Sequence, residues 1–364
     1  MQIEKEKTFI RQTTLPEIGQ GGQEKMLNAR IAIVGCGGLG STAAVYLAAS
    51  GIGHIHLIDY DKIDLSNLHR QVFYQRDQVG QSKSKTLASY IKKISPYVHI
   101  TFQEKPITKS NISEHLNSFP LVVDCTDSLA TKYLLNDYCV LNEKALVYGS
   151  LYKHDGYVAV FNVKTHHTFS ANLRDAFPTM PQKHIPNCSE IGTLNPIVGI
   201  IGLMQGNEVI KLVTGAGEIL KDKILIYNSM ENSQFSMKLE QNFPVDKIRA
   251  IYREDAYFDA RCEVQDDLLL IKADQLMKKL DKNEVKIISV IEDLSLELPF
   301  KVDLQIPLSK FNASALESYQ NDELVIICQR GISSYTATIQ LKKEFPLTTV
   351  YSLQDGINNL EKLD

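Results

Sequence analysis

An α/β fold is predicted for this chain: a doubly wound, mostly parallel sheet, followed by a second and smaller α/β domain. Short apolar strands alternate with helical segments in the first half, the pattern weakens over residues 241–262, and a second alternation follows. Such alternation is typical of parallel sheets covered by helices. We therefore predict a first domain over residues 1–240, a linker over 241–262 and a second domain over 263–364.

The strands of the first domain are short runs of aliphatic residues. Arg30–Val34, His54–Ile58 and Leu121–Asp124 are predicted to be buried strands. Helices are predicted after the glycine-rich turn as far as residue 49, and over residues 79–94, 128–142 and 196–213. Residues 164–190 hold three prolines and three histidines without a clear period, which predicts a long functional or mobile loop.

The second domain shows the same alternation on a smaller scale. Residues 285–290 and 324–328 are predicted strands, and residues 332–344 are a predicted helix.

Composition is that of an ordinary globular protein, with 44% hydrophobic and 23% charged residues. The net charge of −4 leaves no broad basic field, so we expect neither nucleic acid nor membrane as a partner. The charged start MQIEKEKTF is unlike a signal peptide, and no apolar run reaches the roughly 18 residues of a membrane span. We expect a cytoplasmic protein whose six cysteines, without a CxxC pair, are free thiols.

A glycine-rich turn after the first strand predicts a nucleotide site. Gly35, Gly37, Gly38 and Gly40 form the pattern G-x-G-x-x-G between a strand and a helix. Glycines here let the backbone approach a phosphate, and a helix N-terminus favours anions. Asp59 ends the next strand, where a carboxylate accepts hydrogen bonds from ribose hydroxyls. Taken alone, this pattern favours a dinucleotide-dependent oxidoreductase.

The residues after Asp59 favour a phosphoryl-group reaction instead. Asn67 and Arg70 lie three residues apart, and Lys83 follows thirteen residues later. Hydride transfer has no evident use for two cations and an amide here, whereas they stabilise charge on a departing pyrophosphate. Asp127, just after a predicted strand, is a hard oxygen ligand suited to Mg²⁺. Either cation alone is explained by a solvated surface position; the whole set predicts a triphosphate site.

Five stretches together resemble the MoeB/ThiF family, the bacterial relatives of ubiquitin-activating enzymes. They are GCGGLGS, IDYDKIDLSNLHRQ, VGQSKSKTLA, VVDCTDSLATKYLLNDYC and CSEIGTLNPIVGIIG, and the resemblance runs from about Phe9 to Leu239. It implies a Rossmann-like fold, a homodimer, and adenylation with ATP and Mg²⁺ of the C-terminal glycine of a small ubiquitin-like sulfur-carrier protein ending in Gly-Gly. It also implies that Arg11 reaches across the dimer to the partner's triphosphate.

The resemblance carries roles over by position. Asp127 matches the magnesium ligand and catalytic aspartate, and Ser128 stands where the family often has asparagine. The implied catalytic residues of the first domain are Arg11, Arg70, Lys83 and Asp127. The implied nucleotide-binding residues are Gly35, Gly37, Gly38, Gly40, Asp59, Asp61, Ser66, Asn67, Arg70, Lys83, Asp127 and Ser128.

Many members of the family hold a structural zinc ion with two CxxC pairs, and this chain lacks both. SANL stands at the first position, residues 170–173, and QNFP at the second, residues 241–244. Structural zinc needs four cysteine or histidine ligands. His166, His167 and His184 lie in one predicted loop, but exposed loop histidines are the simpler interpretation, so we predict no zinc.

Two cysteines are candidates for sulfur chemistry. Cys188, in CSEIG, matches the family cysteine on the loop over the carrier tail, which is covalently linked to the carrier in some members and dispensable in others. Both alternatives stay open. Cys328 opens CQRGISS before a helix, whose N–H groups stabilise a thiolate or persulfide.

The surroundings of Cys328, with LQIPLSKF before and VYSLQDGINNL after, resemble the active loop of rhodanese-type sulfurtransferases. Two positions depart from that pattern, because Ser289 replaces an upstream aspartate and Ser333 replaces a late arginine. An inactive docking domain is therefore the alternative to a sulfurtransferase.

The leading hypothesis is a carrier-activating adenylyltransferase with a sulfurtransferase tail. A cysteine desulfurase is the candidate sulfur donor, and the resemblance implies molybdenum-cofactor synthesis, thiamine synthesis or tRNA thiolation. The alternatives are an NAD-dependent oxidoreductase, a carrier-binding scaffold with an inactive tail, and an enzyme that adenylates short peptides.

Overall fold

The computed structural model describes residues 2–166, 168–181, 192–254, 257, 266–329, 331–357 and 360. The described residues form two compact units: the first contains residues 2–166, 168–180, 192–254 and 257, and the second contains Pro181 and the described residues from Asp266 onward. Each unit has its own sheet.

The described strands of the first unit form one eight-stranded sheet. In chain order they are β1 Arg30–Val34, β2 His54–Ile58, β3 His99–Gln103, β4 Leu121–Asp124, β5 Ala145–Tyr152, β6 Asp155–Phe161, β7 Lys223–Asn228 and β8 Ser233–Lys238. The order across the sheet is β3-β2-β1-β4-β5-β6-β7-β8, parallel from β3 to β5 and antiparallel from β5 to β8. The predicted doubly wound, mostly parallel sheet is confirmed. Its order reverses at β1 and β4, where ligands bind in such sheets.

Helices pack on both faces of this sheet. They are α1 Gln2–Thr13, α2 Gly19–Asn28, α3 Gly38–Ala49, α4 Lys83–Ile94, α5 Ile112–Leu116, α6 Leu129–Leu141, α7 Leu173–Ala176, α8 Asn195–Thr214 and α9 Val245–Glu254. Successive residues of β1 point to opposite faces. Ile31 and Ile33 belong to the core beneath α3 and α8, whereas Ala32 and Val34 belong to the core beneath α5 and α6.

By length and composition alone, α8 meets the criterion for a membrane span, which the sequence analysis did not predict. Its mean hydropathy is 1.3, and half of that apolar window is buried inside the unit. Gly202 of α8 packs so closely on α3 that an added Cβ would lie 2.7 Å from the Leu39 carbonyl oxygen. This packing is that of a core helix.

The second unit contains a five-stranded sheet. Its strands are β9 Leu270–Ile271, β10 Lys286–Ser289, β11 Leu304–Gln305, β12 Leu324–Ile327 and β13 Val350–Leu353, in the order β11-β10-β12-β13-β9. All four pairings are parallel. The helices α10 Ala273–Asp281 and α11 Ile332–Glu344 accompany it. The two predicted strands and the predicted helix of this unit are confirmed.

Three segments differ from the sequence-based expectation. The helix predicted over 79–94 begins at Lys83, because Gly80 has a φ of 88° and the Ser82 hydroxyl caps the helix by accepting from the Lys85 N–H. The predicted loop 164–190 contains α7, and its residues 167 and 182–190 lie outside the described part. The predicted linker contains α9, whose buried residue is Ile248.

A histidine cluster lies on β2, β3 and α5. The Thr101 hydroxyl contacts Nε2 of His54 at 3.0 Å and Nδ1 of His56 at 2.8 Å. The His99 ring lies 4.4 Å from the His54 ring, and the His115 ring 6.4 Å from the His56 ring. Burial, followed by the charges of His115 and His54, lowers the pKa of His56 to about 4. His56 is therefore neutral in the folded protein near pH 7.

Acid should destabilise the first unit partly through His56. Its folded pKa lies below the unfolded value of about 6.5, so the unfolded chain binds more protons between these values. The stabilisation is present above about pH 6.5 and is lost as the pH falls toward about 4. The loss at about pH 5 is on the order of 1 kcal/mol after allowance for partial exposure. We expect the melting temperature of His56→Gln to fall less than that of wild type between about pH 7.5 and about pH 5. Equal losses would contradict the assignment.

Candidate functional site

The glycine turn lies where β1, β4 and α8 converge. Gly35 has a φ of 92°, and an added Cβ would lie 2.6 Å from the Cys125 carbonyl oxygen. A Cβ on Gly38 would overlap Val198, and one on Gly40 would overlap the Gly35 carbonyl. Gly37 precedes the first turn of α3. The first N–H groups of a helix lack intrahelical partners, so this turn is suited to a phosphate.

Asp59 is tied to the glycine turn. One carboxylate oxygen accepts from the Cys36 N–H at 2.6 Å, and the other accepts from the Asp61 N–H at 2.7 Å. Burial raises the pKa of Asp59 to about 6, against the opposing charge of Lys83. Each carboxylate oxygen keeps a lone pair. The geometry is therefore compatible with the predicted hydrogen bonds from ribose hydroxyls.

Lys83 is a buried cation at the same edge of the sheet. It begins α4, is 4% exposed, and its Nζ lies 2.8 Å from Oδ2 of Asp61. Burial lowers the pKa of Lys83, but the charges of Asp59 and Asp61, with a smaller contribution from Asp127, more than offset burial and raise it. The ammonium group is therefore charged near neutral pH. Asp61, predicted to bind nucleotide, holds this lysine.

A short 3₁₀ helix, Leu65–Asn67, carries the next predicted residues. The Asp64 carboxylate accepts from both the N–H and the hydroxyl of Ser66. Arg70 donates to the Ser66 carbonyl at 3.0 Å, and the half-buried Asn67 donates to the Ser66 hydroxyl at 3.3 Å. A guanidinium group has five N–H donors. Arg70 therefore retains donors for a ligand.

The remaining predicted residues of the first unit lie at two places. Asp127 is exposed just beyond β4, and Ser128 caps α6 because its hydroxyl accepts from the Thr131 N–H at 3.2 Å. Arg11 is exposed in the last turn of α1. Its role in a partner's site stays a prediction.

A buried ion pair beneath Asp127 was missed by the sequence analysis. Lys132 and Asp124 are 2% and 0% exposed, and Nζ lies 3.1 Å from Oδ2. Nζ also donates to the Gly149 carbonyl at 2.6 Å, and the other Asp124 oxygen accepts from the N–H and hydroxyl of Thr126. The pair therefore shapes the loop that presents Asp127. A lysine among the apolar residues in the first half of this helix was the available signal.

In the second unit, two described groups lie within hydrogen-bonding distance of the sulfur of Cys328. The Gly331 N–H donates to Sγ at 3.1 Å, and the Ser334 hydroxyl lies 3.2 Å from Sγ. The Ser352 hydroxyl lies 2.8 Å from that of Ser334. Ser289, which replaces the family aspartate, is buried and accepts from the Ile291 N–H at 3.4 Å. Of the successive N–H groups predicted to stabilise the sulfur, that of Gly331, which precedes α11, donates to it.

Several predicted positions lie outside the described residues. They are Cys188, His167 and His184, and Arg330 of the Cys328 loop also lies outside the described part. Among the described residues, no three His, Cys, Asp or Glu side chains are arranged so that they could hold one metal ion. The absence of zinc stays a prediction. At its expected first position, the Ser170 hydroxyl accepts from the Val163 N–H and the Asn172 side chain caps α7.

A glycine turn, an acid after β2 and a buried lysine at the switch point of a doubly wound sheet define a nucleotide-binding α/β protein. The sequence model of the ThiF family matches residues 9–246. The chain therefore belongs to the ThiF family, which confirms the resemblance seen in the sequence.

Individual relatives extend the similarity to both units. The chain is 30% identical to the adenylyltransferase and sulfurtransferase MOCS3 of Drosophila grimshawi, over 96% of this chain and 82% of that protein. It is 31% identical to the probable adenylyltransferase/sulfurtransferase MoeZ of Mycobacterium tuberculosis, over 96% of this chain and 91% of that protein. A crystal structure of E. coli MccB with ATP is similar in fold, with a TM-score of 0.54 and 23% identity over 62% of this chain and 68% of that chain.

Removing one partner of the buried pair should be costly. Lys132→Met leaves the Asp124 carboxylate buried without its cation, and we expect a loss of about 3–5 kcal/mol in stability. Hydrogen exchange of peptides from β4 measures this, with peptides from β12 as an internal reference. The double variant Asp124→Asn/Lys132→Met should recover part of the loss. Unchanged exchange in β4 would contradict the structural role of the pair.

Nucleotide affinity should weaken in mild acid because protonated Asp59 loses acceptor capacity. The pKa of Asp59 is raised to about 6, so the ionised form dominates above that pH and the protonated form below it. Between about pH 7.5 and about pH 5.5 we expect a three- to fivefold weaker Mg-ATP affinity by calorimetry. Asp59→Asn should lack this component, and the wild-type to variant ratio cancels the titration of ATP itself. A constant ratio would contradict the assignment.

Proposed function

We propose that this protein adenylates the C-terminal glycine of a small ubiquitin-like sulfur-carrier protein ending in Gly-Gly, and then supplies sulfur to it. One observation carries the proposal: Asp59, which accepts a hydrogen bond from the glycine turn, lies close enough to the buried Lys83 for its charge to raise the pKa of that lysine. Relatives named adenylyltransferase and sulfurtransferase align with 96% of this chain, including the unit with Cys328. Adenylyl transfer requires an adenylate donor, for which we propose ATP.

The residues present fit this reaction. A carboxylate oxygen of the carrier attacks the α-phosphorus of ATP, and the bond to the leaving pyrophosphate breaks, which yields an acyl adenylate. No base is required because a C-terminal carboxylate is ionised near pH 7. Asp59 would orient the ribose, while Lys83 and Arg70 would stabilise the charge that grows on pyrophosphate. Orientation and electrostatics supply most of the acceleration in such a reaction.

Magnesium is part of the proposal. Asp127 is an exposed carboxylate just beyond the carboxyl end of β4, and its negative charge contributes to the raised pKa of Lys83. Its position and chemistry therefore fit a hard cation beside the triphosphate. When bound, Mg²⁺ supplies neutralisation of triphosphate charge.

Sulfur transfer would use Cys328. The terminal sulfur of a Cys328 persulfide attacks the acyl carbon of the adenylate, AMP leaves, and an acyl disulfide forms. A thiol reductant then cleaves the sulfur–sulfur bond and releases the carrier thiocarboxylate. The donors from Gly331 and Ser334 would stabilise the persulfide anion. A cysteine desulfurase is the proposed sulfur source.

We further propose a cytoplasmic homodimer, in which Arg11 of each protomer contributes to the other's triphosphate site. The exposed position of Arg11 at the end of α1 supports such a contact. Molybdenum-cofactor synthesis, thiamine synthesis and tRNA thiolation are the proposed destinations of the sulfur.

Intact-mass spectrometry tests the proposal. A Gly-Gly carrier incubated with wild type, Mg-ATP and a persulfide source should gain the mass of one sulfur in place of one oxygen. Asp127→Ala should abolish the gain and reduce ATP–pyrophosphate exchange about 100-fold. Cys328→Ala should abolish the gain but leave the exchange intact.

Asp246→Ala, at an exposed acid on α9, is the matched control and should behave as wild type. Exchange at the wild-type rate in Asp127→Ala would refute the assigned site. Adenylation of short peptides but of no Gly-Gly carrier would refute the substrate class.

A further inference from the structure

The side chain of Gln71 connects two parts of the nucleotide site. It is 4% exposed, and its Nε2 donates to Oδ1 of Asn67 at 3.3 Å. The same nitrogen faces the glycine turn, since a Cβ added to Gly37 would lie 3.5 Å from it. The amide therefore lies between the 3₁₀ helix that carries Asn67 and the turn suited to phosphate.

The other end of this amide is unsatisfied. Oε1 of Gln71 is buried and has no hydrogen-bond partner in the structure. Leaving a buried acceptor unsatisfied costs about 1–3 kcal/mol, so such groups in native proteins call for a partner such as a ligand or bound water. An apolar residue of similar size would avoid this cost. A glutamine at this position is therefore explained by a donor that arrives with a ligand.

The backbone around Gln71 holds its side chain in place. The Gln71 N–H donates to the Asn67 carbonyl at 3.0 Å, and the Tyr74 N–H donates to the Gln71 carbonyl at 3.1 Å. The Tyr74 hydroxyl donates to the Cys36 carbonyl at 2.6 Å, which fastens this segment to the glycine turn. Because Oδ1 of Asn67 is held by Gln71, the Asn67 NH₂ group is oriented to donate to a ligand oxygen.

We propose that Gln71 is a ligand-binding and positioning residue of the nucleotide site. Its NH₂ group orients Asn67, and its Oε1 accepts a hydrogen bond from a hydroxyl donor of the bound nucleotide complex. The donor is a ribose hydroxyl or a water molecule held by the triphosphate. This inference rests on the proposed function, because it requires ATP in this site.

Calorimetry of Mg-ATP binding, paired with thermal unfolding, tests the inference. Gln71→Met keeps the shape but removes both polar groups. We expect about tenfold weaker Mg-ATP binding and an unchanged or raised melting temperature, because the unsatisfied acceptor is gone. Gln71→Glu replaces the NH₂ donor by an oxygen that repels Oδ1 of Asn67, and should weaken binding further. Gln81→Met, an exposed glutamine in the same region, is the matched control and should bind as wild type.

The outcomes separate the inference from the function on which it rests. Wild type that does not bind Mg-ATP would overturn both. Wild type that binds, together with Gln71→Met that binds equally well or loses affinity only in step with a lower melting temperature, would overturn the inference alone.

Deoxynucleotides identify the donor. If it is a ribose hydroxyl, the difference between wild type and Gln71→Met disappears with 2′-deoxy-ATP or 3′-deoxy-ATP. If it is water on the triphosphate, the difference persists with both. Loss of the difference shows that Gln71 accepts a hydrogen bond from the ribose. A difference that persists with both nucleotides excludes the ribose hydroxyls and leaves water on the triphosphate as the donor that the inference requires.

Discussion

The architecture of the first unit depends on the absence of side chains at the glycine turn. Gly35 lies against the backbone after β4, and Gly38 lies against α8 and against the Arg70 carbonyl, 2.9 Å from where its Cβ would be. A single methyl group at either place would drive these segments apart. Because they converge, Asp59, Lys83 and Asp127 come from distant parts of the sequence to one edge of the sheet. The parallel order of β1, β2 and β4 directs their carboxyl ends to that edge.

Two buried lysines lie near this edge, and their partners give them different uses. The partner of Lys132 is Asp124, fully buried, so exchanging that ion pair for a ligand would leave a charge without compensation. The partner of Lys83 is Asp61, whose side chain is 49% exposed and is solvated by water when the pair opens. Lys83 can therefore turn to a triphosphate at small cost, whereas Lys132 stays in place. Lys132 thus stabilises the structure around the site, whereas Lys83 is available to bind the ligand.

The elements that could be predicted from the sequence are those that depend on local residue patterns. The strands β1 and β4 were predictable because burial on both faces produces continuous apolar runs. The strand β2 was predictable from its aliphatic residues beside two half-buried histidines, and the glycine turn from the spacing of its glycines. The helix α9 was missed because Ile248 is its buried residue amid charges, and the start of α4 depended on a cap at Ser82. The roles of Lys132 and Gln71 were also missed.

Those two roles arise from contacts that no periodicity records, since each polar group meets partners brought near by the tertiary fold. The residues around Cys328 likewise include one that is near in the sequence and one that only the tertiary fold brings close. Its N–H donor is local, three residues on, whereas Ser352 arrives from another strand.

The two units differ in the charge that their sites must stabilise, and this difference accounts for their different chemistry. A departing pyrophosphate carries several negative charges, which call for cations, and the first unit places Lys83 and Arg70 beside the glycine turn. A persulfide carries one negative charge on a polarizable atom, for which neutral donors suffice. Among the described residues, the hydrogen bonds around Cys328 involve the Gly331 N–H and the Ser334 hydroxyl, and both groups are neutral. The two described groups, the Gly331 N–H and the Ser334 hydroxyl, can therefore hold a sulfur anion while leaving it reactive toward an acyl adenylate.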